Sequence, residues 1–463
     1  MQLTSLTLSH ASQLLSHEEI SPVELVKSHL ERIEQIDPKL NSFITVTAEA
    51  ALQRADQAEQ EMKREGWLPP LTGVPLALKD LYETKGVRTT AGSTFFADYY
   101  PTEDGVAVQK LAQAGGVLLG KLNMHEIALG ITNVNPHYGA CRNPWDLSRI
   151  SGGSSGGSAA ALAAGLCMGS LGTDTGGSIR IPAAMCGVVG LKPTYGRVSL
   201  RGIIPLSWNL DHAGPMARCV ADVALLLQQI VGFDPHDPYS LDVPTEDYLA
   251  GLNGGVRGWR IAVAMGEFFS SVTDPEVLLA LEGASRVFTQ LGAAVQAVEV
   301  PQMRETAMAN GIMVTSDAAA YHRDRLAGHP EKFGDDVRQR LQTGAAYSST
   351  DYALARRQQS LMRHQLTGFF EEYDILLTPT TPVAAPLIEG PDAIETARLL
   401  TRFTAPFNLT GLPALSLPCG FTSQGLPIGL QIISRHWAEA TVMRAAQAFE
   451  QATEWHFREP TFH

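Results

Sequence analysis

Two short clusters of glycine and serine have the composition of a reactive site. They cover residues 152–158 and 173–178, and each runs directly into alanine, leucine or isoleucine that requires burial. Glycine lets the backbone take positive φ and approach a ligand closely, whereas a flexible Gly/Ser linker stays polar throughout. We therefore interpret the two clusters as parts of one site.

The second cluster, 174–178, ends in a serine that several backbone N–H groups directly precede. Consecutive glycine amides can point at one anion, and a serine hydroxyl beside such donors is a candidate nucleophile for acyl transfer. Ser178 is that candidate. The cluster contains no evident base.

The two clusters read GGSSGGSAAALAAG and GTDTGGSIRIPA, and an upstream segment reads GVPLALKD. In this order and spacing they resemble the amidase signature family, serine hydrolases that act on carboxamide C–N bonds. The family uses a Ser-Ser-Lys triad, so the resemblance implies Ser178 as nucleophile, Ser154 as bridging serine and Lys79 as base. It also implies a cis Gly153–Ser154 peptide bond.

The resemblance implies further site residues. The expected oxyanion hole consists of backbone N–H groups of Thr175, Gly176, Gly177 and Ser178. A turn-rich loop over residues 128–143 is expected to form one wall of the substrate pocket, with Gly130, Ile131 and Thr132 as candidate contacts. Asp174, Arg180 and Ser155 are expected to support the site through hydrogen bonds.

A lysine acts as a base only when it is neutral. Residues 74–79 have the pattern of a short strand, whose alternation would put Lys79 and Asp80 on opposite faces. A dry interior lowers a lysine pKa from about 10.4, whereas a neighbouring carboxylate raises it. The pattern therefore favours Lys79 as a base, with an ordinary paired lysine as the alternative.

Other motifs offer different chemistry. Residues 153–157 satisfy GxSxG, but an α/β-hydrolase needs a strand directly before that motif, and 143–150 has the pattern of a loop. His212 is interpreted as a core histidine rather than as a base. Residues 115–121 imitate a phosphate loop but lead into Leu122, and His125-Glu126 begins a zinc motif that Leu129 breaks. We expect neither a metal nor an organic cofactor.

The substrate prediction rests on the variable region at 301–392. It is rich in large apolar residues, and we expect an apolar or aryl amide, with a carbamate as a variant. Those residues are Met303, Met308, Met313, Tyr321, Phe333 and Tyr347, and they could equally be core. The alternative within the family is the glutamine-hydrolysing amidase subunit of an aminoacyl-tRNA amidotransferase. That subunit holds the glutamine ammonium with an aspartate where this chain has Thr401, so we expect a closer kinship to stand-alone bacterial amidases.

The expected fold is α/β, a mixed β-sheet core with helices on both faces. We predict one amidase domain over 1–463, with an N-terminal helical layer at about 1–66, a catalytic core at about 67–240 and 400–440, and a variable cap at about 301–392. A βαβ unit is predicted over 260–300, and helices are predicted around 318–325 and 352–370.

Composition narrows the class of partner. The net charge of −13 without a basic run argues against a nucleic-acid surface. Five scattered cysteines fit a reducing compartment, and no segment has the length and apolarity of a membrane helix. We therefore expect a cytoplasmic enzyme whose partner is a small-molecule amide, without direct nucleic-acid or membrane contact, and a homodimer is compatible with the sequence.

Overall fold

The computed structural model describes residues 2–64, 68–389 and 399–462. The predicted layer boundary at residues 65–66 and the predicted cap end at 390–392 lie outside these ranges. Within them there are fifteen strands, which follow in chain order. They are β1 (Phe43–Val46), β2 (Pro75–Lys79), β3 (Val117–Leu122), β4 (Val134–Asn135), β5 (Gly139–Ala140), β6 (Arg142–Asn143), β7 (Asp146–Ile150), β8 (Gly169–Asp174), β9 (Val189–Lys192), β10 (His212–Ala217), β11 (Arg260–Met265), β12 (Ala294–Glu299), β13 (Ile375–Pro379), β14 (Ala414–Phe421) and β15 (Pro427–Ile433).

The described ranges also contain the α-helices that cover the sheet. They are α1 (Leu8–Ser16), α2 (Pro22–Leu40), α3 (Ala48–Met62), α4 (Val106–Gln113), α5 (Gly156–Ala163), α6 (Arg180–Cys186), α7 (Val220–Ile230), α8 (Glu267–Ser270), α9 (Pro275–Gln290), α10 (Met303–Tyr321), α11 (Arg323–Gly328), α12 (Asp335–Ala346), α13 (Ser349–Glu372), α14 (Ala405–Thr410) and α15 (Glu439–Gln451).

Eleven of the described strands form one sheet in the order β1-β3-β2-β8-β10-β9-β14-β15-β13-β11-β12. Strand β2 is parallel to both β3 and β8, whereas β10 is antiparallel to β8 and β9. The central strands are buried along their length, as expected of a sheet covered on both faces. The prediction of a mixed α/β sheet is confirmed, and β11, α9 and β12 form the predicted βαβ unit.

The early and late parts of the chain meet in the middle of this sheet. Strand β9 pairs with β14, so that Lys192 lies opposite Ala414. The resemblance to the family covers roughly residues 70–220 and 403–433, and these two segments therefore occupy neighbouring strands. The turns that follow the paired strands β2 and β8 lie close together.

The interpretation of 143–150 as loop was wrong. Residues Arg142–Asn143 and Asp146–Ile150 form the small pair β6 and β7, whose turn is held by Asn143 Oδ1, which accepts the Trp145 N–H at 2.9 Å. Strand β7 pairs with β6 and not with the large sheet. The strand that an α/β-hydrolase places before its nucleophile belongs to the main sheet, so this correction does not revive that alternative.

The N-terminal helix is fastened to the core by one buried carboxylate. Asp222, in the first turn of α7, accepts the backbone N–H groups of Leu8 and Ser9 at 2.8 Å each. These are donors that the first turn of a helix leaves without an internal partner. In the described ranges, no helix combines the length and the apolar character that crossing a bilayer demands.

Replacing Asp222 by alanine should loosen α1 from the core. Two N–H groups lose their acceptor in a water-poor setting, which costs about 2–3 kcal/mol of local stability. Amide hydrogen exchange over residues 8–16 should therefore become faster. Asp56→Ala is the control, because Asp56 is exposed and accepts from Gln60 on its own helix. Unchanged exchange over residues 8–16 in the Asp222 variant would contradict this role.

Candidate active site

Lys79 ends strand β2 and is completely buried. Its Nζ donates to Ser154 Oγ at 2.7 Å and to Thr173 Oγ1 at 2.7 Å. Burial lowers the pKa of Lys79 to about 7, against the opposing charges of Asp211 and Asp174. A substantial fraction of this amine is neutral near pH 7, so it can accept a proton from the Ser154 hydroxyl.

Ser154 lies on a backbone turn that side chains would obstruct. The Gly153–Ser154 peptide bond is cis, and α5 begins two residues later. A Cβ on Gly153 would come within 2.8 Å of the Ile131 backbone. The Ser154 carbonyl accepts the His125 backbone N–H at 3.2 Å. The turn is therefore held against the loop expected to form the substrate wall.

Ser178 follows β8 on a second turn, in which Gly177 takes φ +137°. The Ser178 carbonyl accepts the Ser155 N–H at 3.2 Å. The Ser155 hydroxyl donates to the Thr173 carbonyl at 3.2 Å and accepts the Thr173 N–H at 3.3 Å. The structure thus brings the three predicted triad residues into one region, with Lys79 and Ser154 in direct contact and Ser178 joined to them through Ser155.

The turn before Ser178 is organised by a buried ion pair. Arg180 reaches both carboxylate oxygens of Asp174 at 2.9 Å, and both side chains are fully buried. Burial alone would raise the Asp174 pKa, but the Arg180 charge and hydrogen bonds hold that pKa well below its usual range. Asn408 Nδ2 donates to the same carboxylate at 2.7 Å. The carboxylate therefore stays ionised and fixes the turn.

The oxyanion prediction needs one correction. The Gly177 N–H donates to Asp174 Oδ1 at 2.8 Å, so in this conformation it cannot serve an oxyanion. The other three predicted residues, Thr175, Gly176 and Ser178, line a common cavity.

That cavity has a volume of ≈ 140 Å³. The predicted wall residues Gly130 and Ile131 line it, but Thr132 does not. The Thr132 hydroxyl lies 3.4 Å from His125 Nδ1. Helix α10 contributes Asn310 and helix α12 contributes Arg340. A small cavity with a mostly apolar wall, to which Arg340 and Asn310 also belong, thus opens onto Ser178.

Sequence reasoning missed several of these residues. Asn310 and Arg340 belong to the variable region and carry no motif, so only the packing of α10 and α12 reveals them. Asp211 accepts the Thr175 hydroxyl at 2.6 Å, and burial raises its pKa to about 6 against that bond and the Lys79 charge. The position of Asp211 in a segment that resembles the family is the feature of the sequence that could have identified it.

His212 does not act as the base of these serines. Its Nδ1 lies 2.7 Å from the Leu210 carbonyl and 3.1 Å from the Asp174 carbonyl, and burial holds its pKa well below the ordinary value. A neutral histidine held by backbone carbonyls is the core histidine that the sequence predicts.

The apolar residues suggested as substrate contacts lie elsewhere. None of the six lines the cavity that contains Ser178, among the residues that the structure describes. Met303, Met313 and Phe333 are buried in core clusters, and Met308 is exposed. Other apolar residues line the cavity instead, among them Leu129, Leu206 and Val314.

Comparison with known proteins places these features in context. The family model described as Amidase matches residues 24–443. A glutamyl-tRNA(Gln) amidotransferase subunit from Moorella thermoacetica is 42% identical, over 99% of both chains. A solved structure described as a vestigial protein complex that reveals the origins of an s-triazine catabolic enzyme is 35% identical, with TM-score 0.92, over 96% of this chain and 98% of that one. A bacterial aryl acylamidase structure is 29% identical, with TM-score 0.89, over 97% and 96%.

Two expectations are corrected by these relatives. A closer kinship to stand-alone amidases is wrong, because full-length relatives at 40–42% identity are named as amidotransferase subunits. The prediction that a small amide, or at most a second copy, is the whole set of partners is overturned by the same finding, since those relatives are subunits of an enzyme named for a tRNA.

The pH dependence of turnover should follow Lys79. Only the neutral amine accepts a proton, so kcat/KM should rise with pH through about 7 and level off above about pH 8. A pH profile of amide hydrolysis measures this, with the two serines and Asp211 as coupled groups. A rate that falls between pH 6 and 8 would contradict a neutral lysine base.

Substitutions should distinguish the role of Lys79 from that of His212. Lys79→Met keeps the apolar stem but removes the base, so turnover should fall about 10³-fold or more. Ser178→Ala should abolish labelling by a fluorophosphonate. His212→Asn keeps a short polar group near the Leu210 carbonyl and serves as the matched control, with near-normal turnover expected. An inactive but folded His212→Asn beside an active Lys79→Met would reverse the assignment.

Proposed function

This chain belongs to the amidase family, and we propose that it hydrolyses the carboxamide of a small carboxylate-bearing substrate as the amidase subunit of a larger assembly. The carrying observation is that Ser178 and Arg340 line one cavity. An arginine can bind a carboxylate through two parallel hydrogen bonds. Glutamine is the first candidate substrate, because the full-length relatives are amidotransferase subunits.

The reaction proceeds through an acyl-enzyme. Ser178 Oγ attacks the amide carbon while its proton passes through Ser154 to neutral Lys79. The developing oxyanion lies against the backbone of Thr175, Gly176 and Ser178, which line the cavity. The C–N bond then breaks, and the proton on Lys79 returns through Ser154 to the leaving ammonia. Water cleaves the ester by the same relay in reverse, which frees Ser178 and releases the carboxylate product.

A second candidate is a carboxylate-bearing amide without an ammonium group. The described residues that line the cavity include Arg340 but no aspartate or glutamate. Thr401, which takes the place of the expected aspartate, does line the cavity. A hydroxyl compensates a buried ammonium less well than a carboxylate does, so Thr401 favours a substrate without an ammonium group.

Three amides that differ by one group at a time test the proposal. Glutamine carries a carboxylate and an ammonium, 4-carbamoylbutanoate carries only the carboxylate, and butanamide carries neither. We expect ammonia release from the carboxylate-bearing amides, with kcat/KM about 10–100-fold above that of butanamide, since a charged hydrogen-bonded contact is worth about 1.5–3 kcal/mol. The ratio of glutamine to 4-carbamoylbutanoate distinguishes the two candidates.

Arg340→Met should remove this preference for a carboxylate while leaving butanamide hydrolysis unchanged. Arg338→Met is the matched control, because Arg338 lies on the same helix, pairs with Asp335 at 2.8 Å and does not line the cavity. Equal loss on charged and neutral amides, or no loss in Arg340→Met, would contradict a carboxylate site at Arg340.

A further inference from the structure

The peptide groups of the turn at 174–178 are held by residues on both sides of the backbone. The Gly177 N–H donates to the Asp174 carboxylate at 2.8 Å. The carbonyl of the same peptide group, that of Gly176, accepts the Thr404 hydroxyl at 2.6 Å. The C=O and N–H of a planar trans peptide point in opposite directions, so these two bonds together fix the orientation of that group.

The preceding peptide group, between Thr175 and Gly176, has a bond on its carbonyl side. The Thr175 carbonyl accepts the Asn310 amide Nδ2 at 3.3 Å. Among the residues that the structure describes, the Gly176 N–H has no hydrogen-bond acceptor. Thr175 and Gly176 both line the cavity that contains Ser178. The Gly176 N–H is therefore available to an oxyanion formed in this cavity.

The neighbouring bonds do not fix the orientation of this peptide group. The Thr175 hydroxyl donates to Asp211 at 2.6 Å, which holds the side chain on one side of the peptide. The Gly177 N–H is held by Asp174 on the other side. Between them Gly176 has no side chain to restrict the rotation of its backbone. The orientation of the Gly176 N–H thus depends on the bond that the Thr175 carbonyl accepts.

Asn310 is placed to restrict that rotation. It lies on α10 and is only 3% exposed, so its amide finds hydrogen-bond partners within the protein. Its Oδ1 also approaches the turn, since a Cβ added at Gly176 would come within 3.4 Å of this atom. A side chain of the variable region is therefore packed against the one peptide group of the turn whose N–H is free and whose flanking bonds leave it able to rotate.

We propose that Asn310 is a positioning residue for oxyanion stabilisation. Its amide holds the Thr175 carbonyl, and the opposite direction of the N–H in the same peptide directs the Gly176 donor at the oxyanion that forms beside Ser178. The inference rests on the proposed acyl transfer at Ser178. It assigns to Asn310 an effect on the chemical step that acts through Gly176.

This role affects the transition state more than the bound substrate. Full negative charge on the substrate oxygen develops only when Ser178 adds to the amide carbon, so a misdirected donor weakens binding of the transition state alone. Loss of the Asn310 amide should therefore lower kcat and kcat/KM by the same factor and leave KM unchanged.

Asn310→Leu keeps a side chain of similar size but removes the donor, and Asn310→Ala removes the donor without any risk of overpacking. The purified full-length chain is assayed with butanamide, which carries no charged group that a second site could bind. In both variants kcat should fall about 10–100-fold, because the Gly176 donor remains but is no longer directed.

Propylboronic acid supplies a measurement that a purely structural role would not change. The Ser178 oxygen bonds to boron, its proton passes through Ser154 to Lys79, and the tetrahedral boron carries the negative charge with an oxygen in the place of the oxyanion. Its inhibition constant should rise by the factor by which kcat/KM falls. The butanamide concentration that halves labelling by a fluorophosphonate should change less than about twofold.

Thr306→Val is the matched control. Thr306 is buried one helical turn earlier on α10, and its hydroxyl donates to the Gln302 carbonyl at 2.6 Å, away from the turn. Near-normal values are expected for this variant. Folded Asn310 variants with unchanged kcat and boronate inhibition would overturn the inference. Equal losses of butanamide protection and boronate inhibition would also overturn it, since they would indicate a direct substrate contact.

Ser178→Ala keeps this test separate from the proposed function. It should lose both turnover and inhibition by the boronic acid. Turnover that persists in Ser178→Ala would contradict acyl transfer at Ser178, whatever the Asn310 variants do. An inactive Ser178→Ala beside fully active Asn310 variants would contradict the role of Asn310 alone.

Discussion

The buried ion pair of Asp174 and Arg180 is the constraint on which the site depends. Removing two charges from water costs free energy that only a complete set of partners offsets. Here the Asp174 carboxylate accepts from the Gly177 and Ile179 backbone as well as from Arg180, and Arg180 also donates to the Thr404 carbonyl. The pair thereby joins the turn after β8 to the segment around α14, across the middle of the sheet.

Two buried lysines of the sheet have different hydrogen-bond partners. Lys79 is the last residue of β2, and Lys121 lies in the neighbouring parallel strand β3. Both side chains are fully buried. Lys121 pairs with the Asp80 carboxylate at 3.2 Å, whereas the short contacts of Lys79 are to hydroxyls. A hydroxyl stabilises an ammonium less than a carboxylate does, so burial destabilises the charged form of Lys79 and lowers its pKa. Because Asp80 pairs with Lys121 and not with Lys79, Lys79 is suited to act as a base.

Two separate layers of the fold line the cavity beside Ser178. Lys79 ends β2 and Ser178 lies on the turn after β8, while Asn310 and Arg340 come from helices α10 and α12. Those helices do not belong to the sheet, and α12 is held by its own buried face, with Val337 and Leu341 in the core. This separation explains how relatives of one fold carry names as different as an amidotransferase subunit and an aryl acylamidase.

The sequence by itself determined the family, the mixed sheet and the candidates Lys79, Ser154 and Ser178, because glycine-rich turns and strand patterns are local and the motifs keep a fixed spacing. Only the tertiary structure decided that the Gly177 N–H turns to Asp174, that β6 and β7 replace a predicted loop, and that Asn310 and Arg340 line the cavity beside Ser178. These outcomes depend on contacts between residues that lie far apart in the chain or on competition for one hydrogen bond. Neither kind of effect produces a periodic pattern that can be recognised in a single sequence.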